Sequence, residues 1–227
     1  MKTNLLKYDT PKEIAAFTTG RDCCVDTLGL SLESLALPRQ THSDHVVWVR
    51  EAGRPEDTDA VITDVPGLCV CVKTADCIPV LLYDRHRHIV AAVHAGWRGT
   101  VARIVTKTLQ KMGSVPTDIF AIVGPGISQE AFEVGDEVYE SFREAAFPME
   151  EIAMRKGKWH IDLWLANRWL LETAGVQDIH VSGICTYKNS AQFYSARKEG
   201  IGTGRNINGI IIGSPRPSLG REKALNT

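Results

Sequence analysis

Three polar segments of the chain carry residue types that bind metals, and each segment stands beside an apolar, strand-like run. They are residues 39–42 (RQTH), 74–77 (TADC) and 93–97 (VHAGW). His42, Cys77 and His94 supply two imidazoles and one thiol. Three nitrogen and sulfur ligands with a fourth position left to water are typical of a catalytic zinc site, because a structural zinc usually takes four protein ligands. Spacing alone leaves open that these are ordinary structural side chains, since no two of them form a short local motif.

Two neighbours of these residues have competing interpretations. Asp76 precedes Cys77 and is either a partner that orients an imidazole or a metal-bound water, or a turn residue before a strand. His45 is an alternative ligand, ranked below His42 because it opens an apolar strand. By residue type, His42, Cys77 and His94 are the candidate metal ligands, and Cys77, His94 and Asp76 are the candidate catalytic residues.

An anion site is predicted next to the metal. Residues 96–100 (GWRGT) join the strand of His94 to an amphipathic helix, which brings Gly96, the Arg98 guanidinium and free backbone N–H groups to a helix N-terminus. Arg98 as a plain surface charge is the alternative, which its closeness to His94 disfavours. Ser195, Arg197 and Arg205 add a hydroxyl and positive charge before the last strand, where they could help to bind phosphate or ribose.

The elements that must position these residues follow from hydrophobic patterning. Strands are predicted at 45–49, 60–63, 68–72, 78–83, 89–93, 119–123, 179–182 and 207–212. An apolar stripe at three- and four-residue intervals from Val101 to Met112 predicts a helix that ends at Gly113. Further helices are predicted at 137–146 and 163–174, the latter with Asp162 as N-cap and Gly175 as stop. Residues 84–88 (DRHRH) are interpreted as a hairpin, and residues 124–128 (GPGIS) as a tight turn.

Strands that arrive both as hairpins and through helices predict a mixed sheet with helices packed on it in layers. At 227 residues the chain is most simply one domain, 1–227, with 214–227 as a loose C-terminal tail. The balance of 26 basic and 27 acidic side chains gives no field for capturing nucleic acid. No apolar run predicts a membrane span or a secretory signal. We expect a cytoplasmic protein whose six cysteines are reduced, with Cys69 and Cys71 as small core residues on one strand face.

Several segments together resemble the polyphenol oxidase or laccase-domain family, whose members are also described as purine nucleoside phosphorylases. The matching segments are QTHSDHV, KTADCIPVLLYD, AAVHAGWRGT, VGPGIS, HIDLWLAN, ICTY and FYSARKEGIGTGR, from residue 40 to residue 212. The resemblance implies an α/β/α layered fold with zinc on His42, Cys77 and His94. It also implies phosphorolysis of adenosine, inosine, guanosine and S-methyl-5'-thioadenosine, with adenosine deamination as a side activity. The partners are then purine nucleosides and phosphate.

Three other hypotheses remain at this stage. Copper-dependent polyphenol oxidation is disfavoured, because a multicopper oxidase needs more imidazoles than seven scattered histidines, and the one H-x-H pair, His86 and His88, lies in the predicted hairpin. Copper therefore ranks below zinc. A cysteine hydrolase would use Cys77 as nucleophile and His94 as base, a chemistry that would suit peptidoglycan-precursor editing. A non-enzymatic zinc-binding protein would require a fourth protein ligand.

Overall fold

The computed structural model describes residues 4–213, which form fourteen strands and six α-helices. The strands are β1 Leu5–Lys7, β2 Ile14–Thr19, β3 Leu35–Ala36, β4 Val46–Trp48, β5 Ala60–Thr63, β6 Cys69–Thr74, β7 Ile78–Asp84, β8 Ile89–Ala95, β9 Ile119–Val123, β10 Glu133–Val134, β11 Ala153–Lys156, β12 Lys158–Ile161, β13 Asp178–Val181 and β14 Asn206–Ile212. The helices are α1 Trp97–Val101, α2 Ile104–Met112, α3 Asp136–Glu144, α4 Met149–Ile152, α5 Leu163–Thr173 and α6 Ala196–Glu199. The predicted tail at 214–227 lies outside the described residues.

A six-stranded mixed sheet lies at the centre of the fold, in the order β13-β9-β7-β8-β5-β4. Its middle strands β7 and β8 form the predicted hairpin, and every one of their residues is buried. The Asp84 carboxylate closes this hairpin, because it accepts hydrogen bonds from the backbone N–H groups of His86 and Arg87. Parallel pairs, β4 with β5 and β9 with β13, flank the hairpin.

Helices cover one face of the central sheet. The apolar stripe of α2 and the inner face of α5 pack against β5, β7, β8 and β9 in a single core. The predicted cap of α5 is confirmed, since the Asp162 carboxylate accepts a hydrogen bond from the Leu165 backbone N–H at 2.9 Å. Gly175, with φ +94°, follows the end of this helix in the left-handed region that favours glycine.

The predicted apolar stripe from Val101 to Met112 is interrupted, so that two helices stand where one was expected. Arg103 adopts a left-handed backbone conformation with φ 61° between α1 and α2. Its guanidinium donates a hydrogen bond to the Ala145 carbonyl and stacks over the rings of Phe147 and Trp169. These tertiary contacts hold Arg103 in a conformation that local helix propensity would avoid.

A second sheet covers the other face of the central sheet, where the α/β/α arrangement would put helices. It has the order β1-β2-β14-β6-β3, and its inner residues interlock with those of the central sheet in one apolar cluster. A third, small sheet has the order β10-β12-β11. The chain is therefore a single-domain α/β fold with mixed sheets, as predicted, with the layers in the order helix, sheet, sheet. Within residues 4–213, no helix combines the length and apolar character needed to cross a bilayer.

Candidate metal centre

His42, Cys77 and His94 come together at one end of the β7–β8 hairpin, although they lie far apart in the sequence. Cys77 directly precedes β7 and His94 lies on β8, opposite Pro79. His42 reaches them from the loop between β3 and β4. The three ligand atoms lie within 4.8 Å of one another, and the two imidazole rings meet edge to face with centroids 4.8 Å apart. The sequence prediction that these three side chains converge is confirmed.

Unusual backbone conformations aim two of the loops at this point. His42 has φ 62° and Asp76 has φ 88°, both in the left-handed region that costs non-glycine residues free energy. The Gln40 side chain ties the His42 loop to β6, because its amide both donates to the Lys73 carbonyl and accepts from the Lys73 N–H, each at 2.8 Å. The surrounding fold therefore offsets local strain at the ligand positions.

Gly96 lies against the two loops and leaves room for the ligand side chains. A Cβ atom added there would lie 3.1 Å from Cys77 Sγ and 3.3 Å from His42 Cδ2. The glycine of the HAGW segment is thus explained by close approach to the centre.

Asp59, a fully buried carboxylate before β5, organises both histidines. Its Oδ1 accepts from His94 Nδ1 at 2.6 Å and from the His42 backbone N–H at 3.1 Å. Its Oδ2 accepts from the Thr41 and Ser43 backbone N–H groups and from the Ser43 hydroxyl, at 2.8 to 3.0 Å. A histidine that donates from Nδ1 keeps Nε2 free as a ligand, which is the carboxylate–histidine pairing common at zinc sites.

The electrostatics of the centre favour the ligating form of the thiol. Burial alone would raise the pKa of Cys77, but the charge of His94 and the hydrogen bond from His42 lower it to about 6. Burial acts to lower the pKa of His94, yet the Cys77 charge and the hydrogen bond to Asp59 raise it. Burial likewise acts against ionised Asp59, and the bond and charge of His94 hold its pKa well below the usual range. The Cys77 side chain therefore favours the thiolate, which is the form that ligates zinc.

Asp76 has a different role in the geometry from the one that its position beside Cys77 suggested. Its carboxylate accepts hydrogen bonds from the Thr186 hydroxyl at 2.7 Å and from the Arg197 backbone N–H at 2.6 Å. Its backbone carbonyl accepts from the Ile127 N–H at 2.8 Å. Asp76 thus fastens the Cys77 loop to Thr186 and to the first turn of α6, and Asp59 is the carboxylate bonded to an imidazole.

The centre opens into a cleft of about 640 Å³ that carries excess positive charge. Besides the three ligand residues, the lining consists of Arg39, Gln40, Thr41, Glu56, Lys73, Ala75, Ala196, Ile201 and Arg205. Burial lowers the pKa of the Lys73 ammonium, and the charges of Arg54, Arg205 and Arg39 lower it further. Glu56, the one acidic group in the lining, pairs with Arg39 at 3.4 Å, so the three cations there leave a net positive charge that suits an anion.

The substrate-binding residues predicted from the sequence are divided by the fold. Arg205 lines the cleft, whereas Arg98 is exposed and stacks over the Trp97 ring with its guanidinium carbon 4.3 Å from the ring centroid. Ser195 is buried, and its hydroxyl caps α6 by accepting from the Lys198 N–H. The Arg197 guanidinium donates to the Ala131 carbonyl at 3.2 Å. The geometry therefore brings Arg205 and Gly96 to the centre and gives Ser195 and Arg197 contacts within the protein.

The remaining polar residues of the sequence analysis lie apart from the centre. His45 is exposed and pairs with Asp57, while His88 pairs with Tyr83 in the hairpin and His86 lies near Asp118. The 124–128 segment is a close-packed turn, because a Cβ atom at Gly126 would lie 2.3 Å from the Ile78 side chain.

Sequence reasoning missed Asp59, Arg39 and Lys73. The available signal for Asp59 was weak, an acidic residue directly before an apolar strand in TDAVIT. Arg39 stands in the 39–42 segment and Lys73 in the KTADCIPVLLYD segment, and only their shared cleft distinguishes them from surface charges.

The comparisons with known proteins agree with this architecture and centre. A family model described as multi-copper polyphenol oxidoreductase laccase matches residues 4–213, so the chain belongs to that family of α/β proteins. A purine nucleoside phosphorylase of Bacteroides thetaiotaomicron is 45% identical over 199 residues, covering 79% of this chain and 74% of the relative. A protein from an unknown prokaryotic organism named adenosine deaminase RL5 is 42% identical over 201 residues, covering 81% and 77% of the two chains.

A solved structure shows the same fold. The Neisseria meningitidis protein NMB0706, of the family called DUF152, superposes with a TM-score of 0.85 at 30% identity, covering 93% of this chain and all of the other. With relatives named for enzymatic activities, the chain is an enzyme with a His, Cys and His group that could bind a metal ion.

Proposed function

We propose that the protein is a zinc-dependent purine nucleoside phosphorylase that cleaves adenosine, inosine, guanosine and S-methyl-5'-thioadenosine with phosphate. The observation that carries the proposal is that the His, Cys and His group opens into the same cleft as Arg39, Lys73 and Arg205. A phosphorylase must hold an inorganic anion beside its reacting centre, and this cleft has the charge for it. The names of the relatives support the same activity.

The residues present fit a zinc ion. Two imidazoles and one thiolate are ligands that zinc prefers, and bonds of about 2.0 to 2.3 Å lie within small side-chain rotations of the present spacing. His42, Cys77 and His94 would hold the ion, and Asp59 would keep His94 in the ligating tautomer. A bound zinc ion would supply Lewis-acid polarisation of a substrate oxygen or nitrogen.

The chain's own cations have a defined task in this reaction. In phosphorolysis a phosphate oxygen bonds to the anomeric carbon while the carbon–nitrogen bond breaks, its electron pair passes to the purine and the purine takes up a proton. Arg39, Lys73 and Arg205 would bind and orient the phosphate for that attack, as guanidinium and ammonium groups do in phosphate sites. They would also disperse charge that develops along the reaction path.

Zinc is favoured over the copper chemistry of an oxidase by the number of sites. Within the part of the chain that the structure describes, one group of His, Cys and carboxylate side chains is compact enough to hold an ion. A multicopper oxidase needs several such sites, and the other histidines lie apart in separate pairs. The cytoplasm, where thiols stay reduced, suits a thiolate-ligated enzyme of this kind.

The proposal is tested by incubating metal-quantified protein with adenosine, with and without phosphate, while ribose 1-phosphate, adenine and inosine are followed by chromatography. Phosphate-dependent release of adenine with equimolar ribose 1-phosphate is the expected result. If protein that carries one zinc ion per chain releases neither adenine nor ribose 1-phosphate, the proposal is overturned.

Two further candidate functions each have an observation in their favour. Adenosine deamination is favoured by the name of the second relative, and would produce inosine in the same assay without phosphate. A cysteine hydrolase, with Cys77 as nucleophile and His94 as base, is favoured by the lowered pKa of Cys77 beside His94. A Cys77→Ala variant separates the last case, because retention of full zinc with loss of all activity would identify Cys77 as a nucleophile.

A further inference from the structure

One apolar side chain in the lining of the metal cleft has no contact in the folded protein that accounts for it. Ile201 is 88% exposed, more than any other large hydrophobic residue between positions 4 and 213. It lines the same cleft as His42, Cys77 and His94, amid charged and polar groups. An isoleucine in this position leaves apolar surface in water that a ligand could cover, with a gain in free energy proportional to the area removed from water.

The segment that presents Ile201 is held in shape by its own contacts. The Arg205 guanidinium donates to the Ile201 carbonyl at 2.8 Å and to the Gly204 carbonyl at 3.0 Å. Glu199 accepts from the Thr203 hydroxyl at 2.7 Å and also pairs with Arg21. Because these bonds fix the backbone, the side chain is directed outward by a preorganised turn, and binding to it costs little ordering of the loop.

The flanking glycines leave the space beside Ile201 open. Gly200 has φ +90°, and a Cβ atom at Gly200 or Gly202 would meet nothing within 4 Å. At the other end of the turn, Gly204 packs closely on the Tyr194 ring. A flat group can therefore approach Ile201 without colliding with its neighbours in the turn, and the turn is anchored behind it.

We propose that Ile201 is the apolar contact for the purine base of the substrate, and that it sets the affinity of the cleft for the base separately from the affinity for phosphate. This inference rests on the proposed function. The charged lining of Arg39, Lys73 and Arg205 suits the phosphate, whereas the ring face of the purine is the least polar part of a nucleoside. The base then packs on Ile201 at the mouth of the cleft, and the sugar lies between the base and the phosphate.

The experiment compares wild-type protein with Ile201→Ser, Ile201→Leu and the control Val115→Ser. Val115 is 57% exposed and precedes β9, whose first residue pairs with Asp84 at the far end of β7 from Cys77. Zinc content, the KM for adenosine, the KM for phosphate and kcat are measured for each. Calorimetric binding of adenosine to the zinc-loaded protein without phosphate gives the affinity independently of turnover.

The expected result is that Ile201→Ser raises the KM and Kd for adenosine about tenfold, as the loss of one buried branched side chain predicts. The kcat, the phosphate KM and the zinc content stay within about twofold of wild type, since Arg205 bonds the backbone carbonyl of residue 201, which the side-chain substitution leaves in place. Ile201→Leu keeps an affinity for adenosine close to that of wild type, because an apolar side chain of the same size remains. Val115→Ser behaves as wild type.

The outcomes separate this inference from the proposed function. If wild-type protein turns over adenosine and Ile201→Ser leaves its KM unchanged, the base contact is overturned and the phosphorylase stands. If adenosine binds without turnover, and binds about tenfold more weakly to Ile201→Ser, the phosphorylase fails and the base contact stands. If gel filtration shows that Ile201→Ser only dissociates an oligomer, Ile201 is a subunit contact and the inference is overturned.

Discussion

A buried pair of cysteines, Cys69 and Cys71, lies within a few residues of the ligand Cys77 in the sequence, and the surroundings give the pair and Cys77 opposite properties. Cys69 and Cys71 on β6 have their sulfur atoms 3.5 Å apart, are fully buried, and pack among Phe17, Leu35 and Ile211. Cys77 follows the same strand but meets two imidazoles at the edge of a charged cleft. Both regions bring potential metal ligands close together in space.

Their difference lies in charge and access. Burial raises the pKa of Cys71 well above its ordinary value, and the neighbouring Cys69 raises it further, so the Cys71 thiol stays protonated. At Cys77 the charge of His94 and the bond from His42 outweigh burial, and Asp59 supports that charge from behind. The comparison teaches that a ligand group becomes a metal site when opposite charge stabilises its deprotonated form and a cleft connects it to solvent.

The largest effect is expected when the thiolate of the centre is removed. Cys77→Ala should lose zinc and phosphate-dependent adenine release together, because two imidazoles alone bind the ion weakly. Metal analysis by mass spectrometry and the chromatographic assay measure both. Cys69→Ala is the matched control and should keep one zinc ion per chain and wild-type turnover, and a loss of zinc in this control would contradict the contrast between the regions.

Thiol labelling of the metal-free protein should divide the cysteines by environment. At pH 7 iodoacetamide is expected to modify Cys77 about a hundredfold faster than Cys69 or Cys71. The pKa of about 6 makes Cys77 mostly thiolate, whereas Cys69 and Cys71 are fully buried and burial raises the pKa of Cys71. Peptide mass spectrometry after timed quenching identifies the modified residue. Added zinc should protect Cys77, and equal labelling of all three thiols would refute the assigned pKa difference.

Asp59→Asn tests whether the buried Asp59 carboxylate gives the centre a zinc affinity that the Cys69–Cys71 pair lacks. The amide can no longer impose the Nδ1–H tautomer of His94 or raise the basicity of its Nε2, so zinc affinity should fall about 10- to 100-fold. Competition with a chromophoric chelator measures the affinity. Asp64→Asn serves as the control because Asp64 is a half-buried carboxylate that pairs with Arg50 at the opposite end of β5 from Asp59. Unchanged zinc affinity in Asp59→Asn would show that the ligands alone determine binding.

The smallest effect is expected in the buried pair itself. Cys71→Ala removes a fully buried sulfur atom and should cost about 1 kcal/mol of unfolding free energy through lost packing, with a fall in Tm of about 2–4 °C. Thermal unfolding followed by circular dichroism measures it. Zinc content and turnover should not change, and a drop in either would mean that the pair acts beyond packing.

Much of the central sheet was predictable because its strands are short apolar runs bounded by turn residues. The predictions at 60–63 and 119–123 match β5 and β9 at both ends, and the hairpin at 84–88 and the Asp162 cap are confirmed. The second sheet was not predicted as a separate layer. Its strand β2 pairs with β14 from the opposite end of the described chain, a contact that no local pattern in IAAFTT reveals.

For the centre, residue chemistry identified the ligands but not their support. His42, Cys77 and His94 stood out in the sequence because each lies in a polar segment beside an apolar, strand-like run. Aspartates are common before strands, so Asp59 did not. Arg98 was favoured for an anion through its closeness to His94 in sequence, yet the first turn of α1 leaves it exposed over Trp97, while Arg39 and Lys73 line the cleft from other segments.

The sequence by itself determined the α/β class, the apolar strands and the identity of the three ligand side chains, because these depend on residue type and short-range periodicity. Tertiary structure alone decided the layer order, the partner of His94, the role of Asp76 and the exposure of Ile201. Each of these depends on contacts between segments distant in the chain. Burial and hydrogen bonding, which set charge and accessibility at the centre, exist only once those segments have packed together.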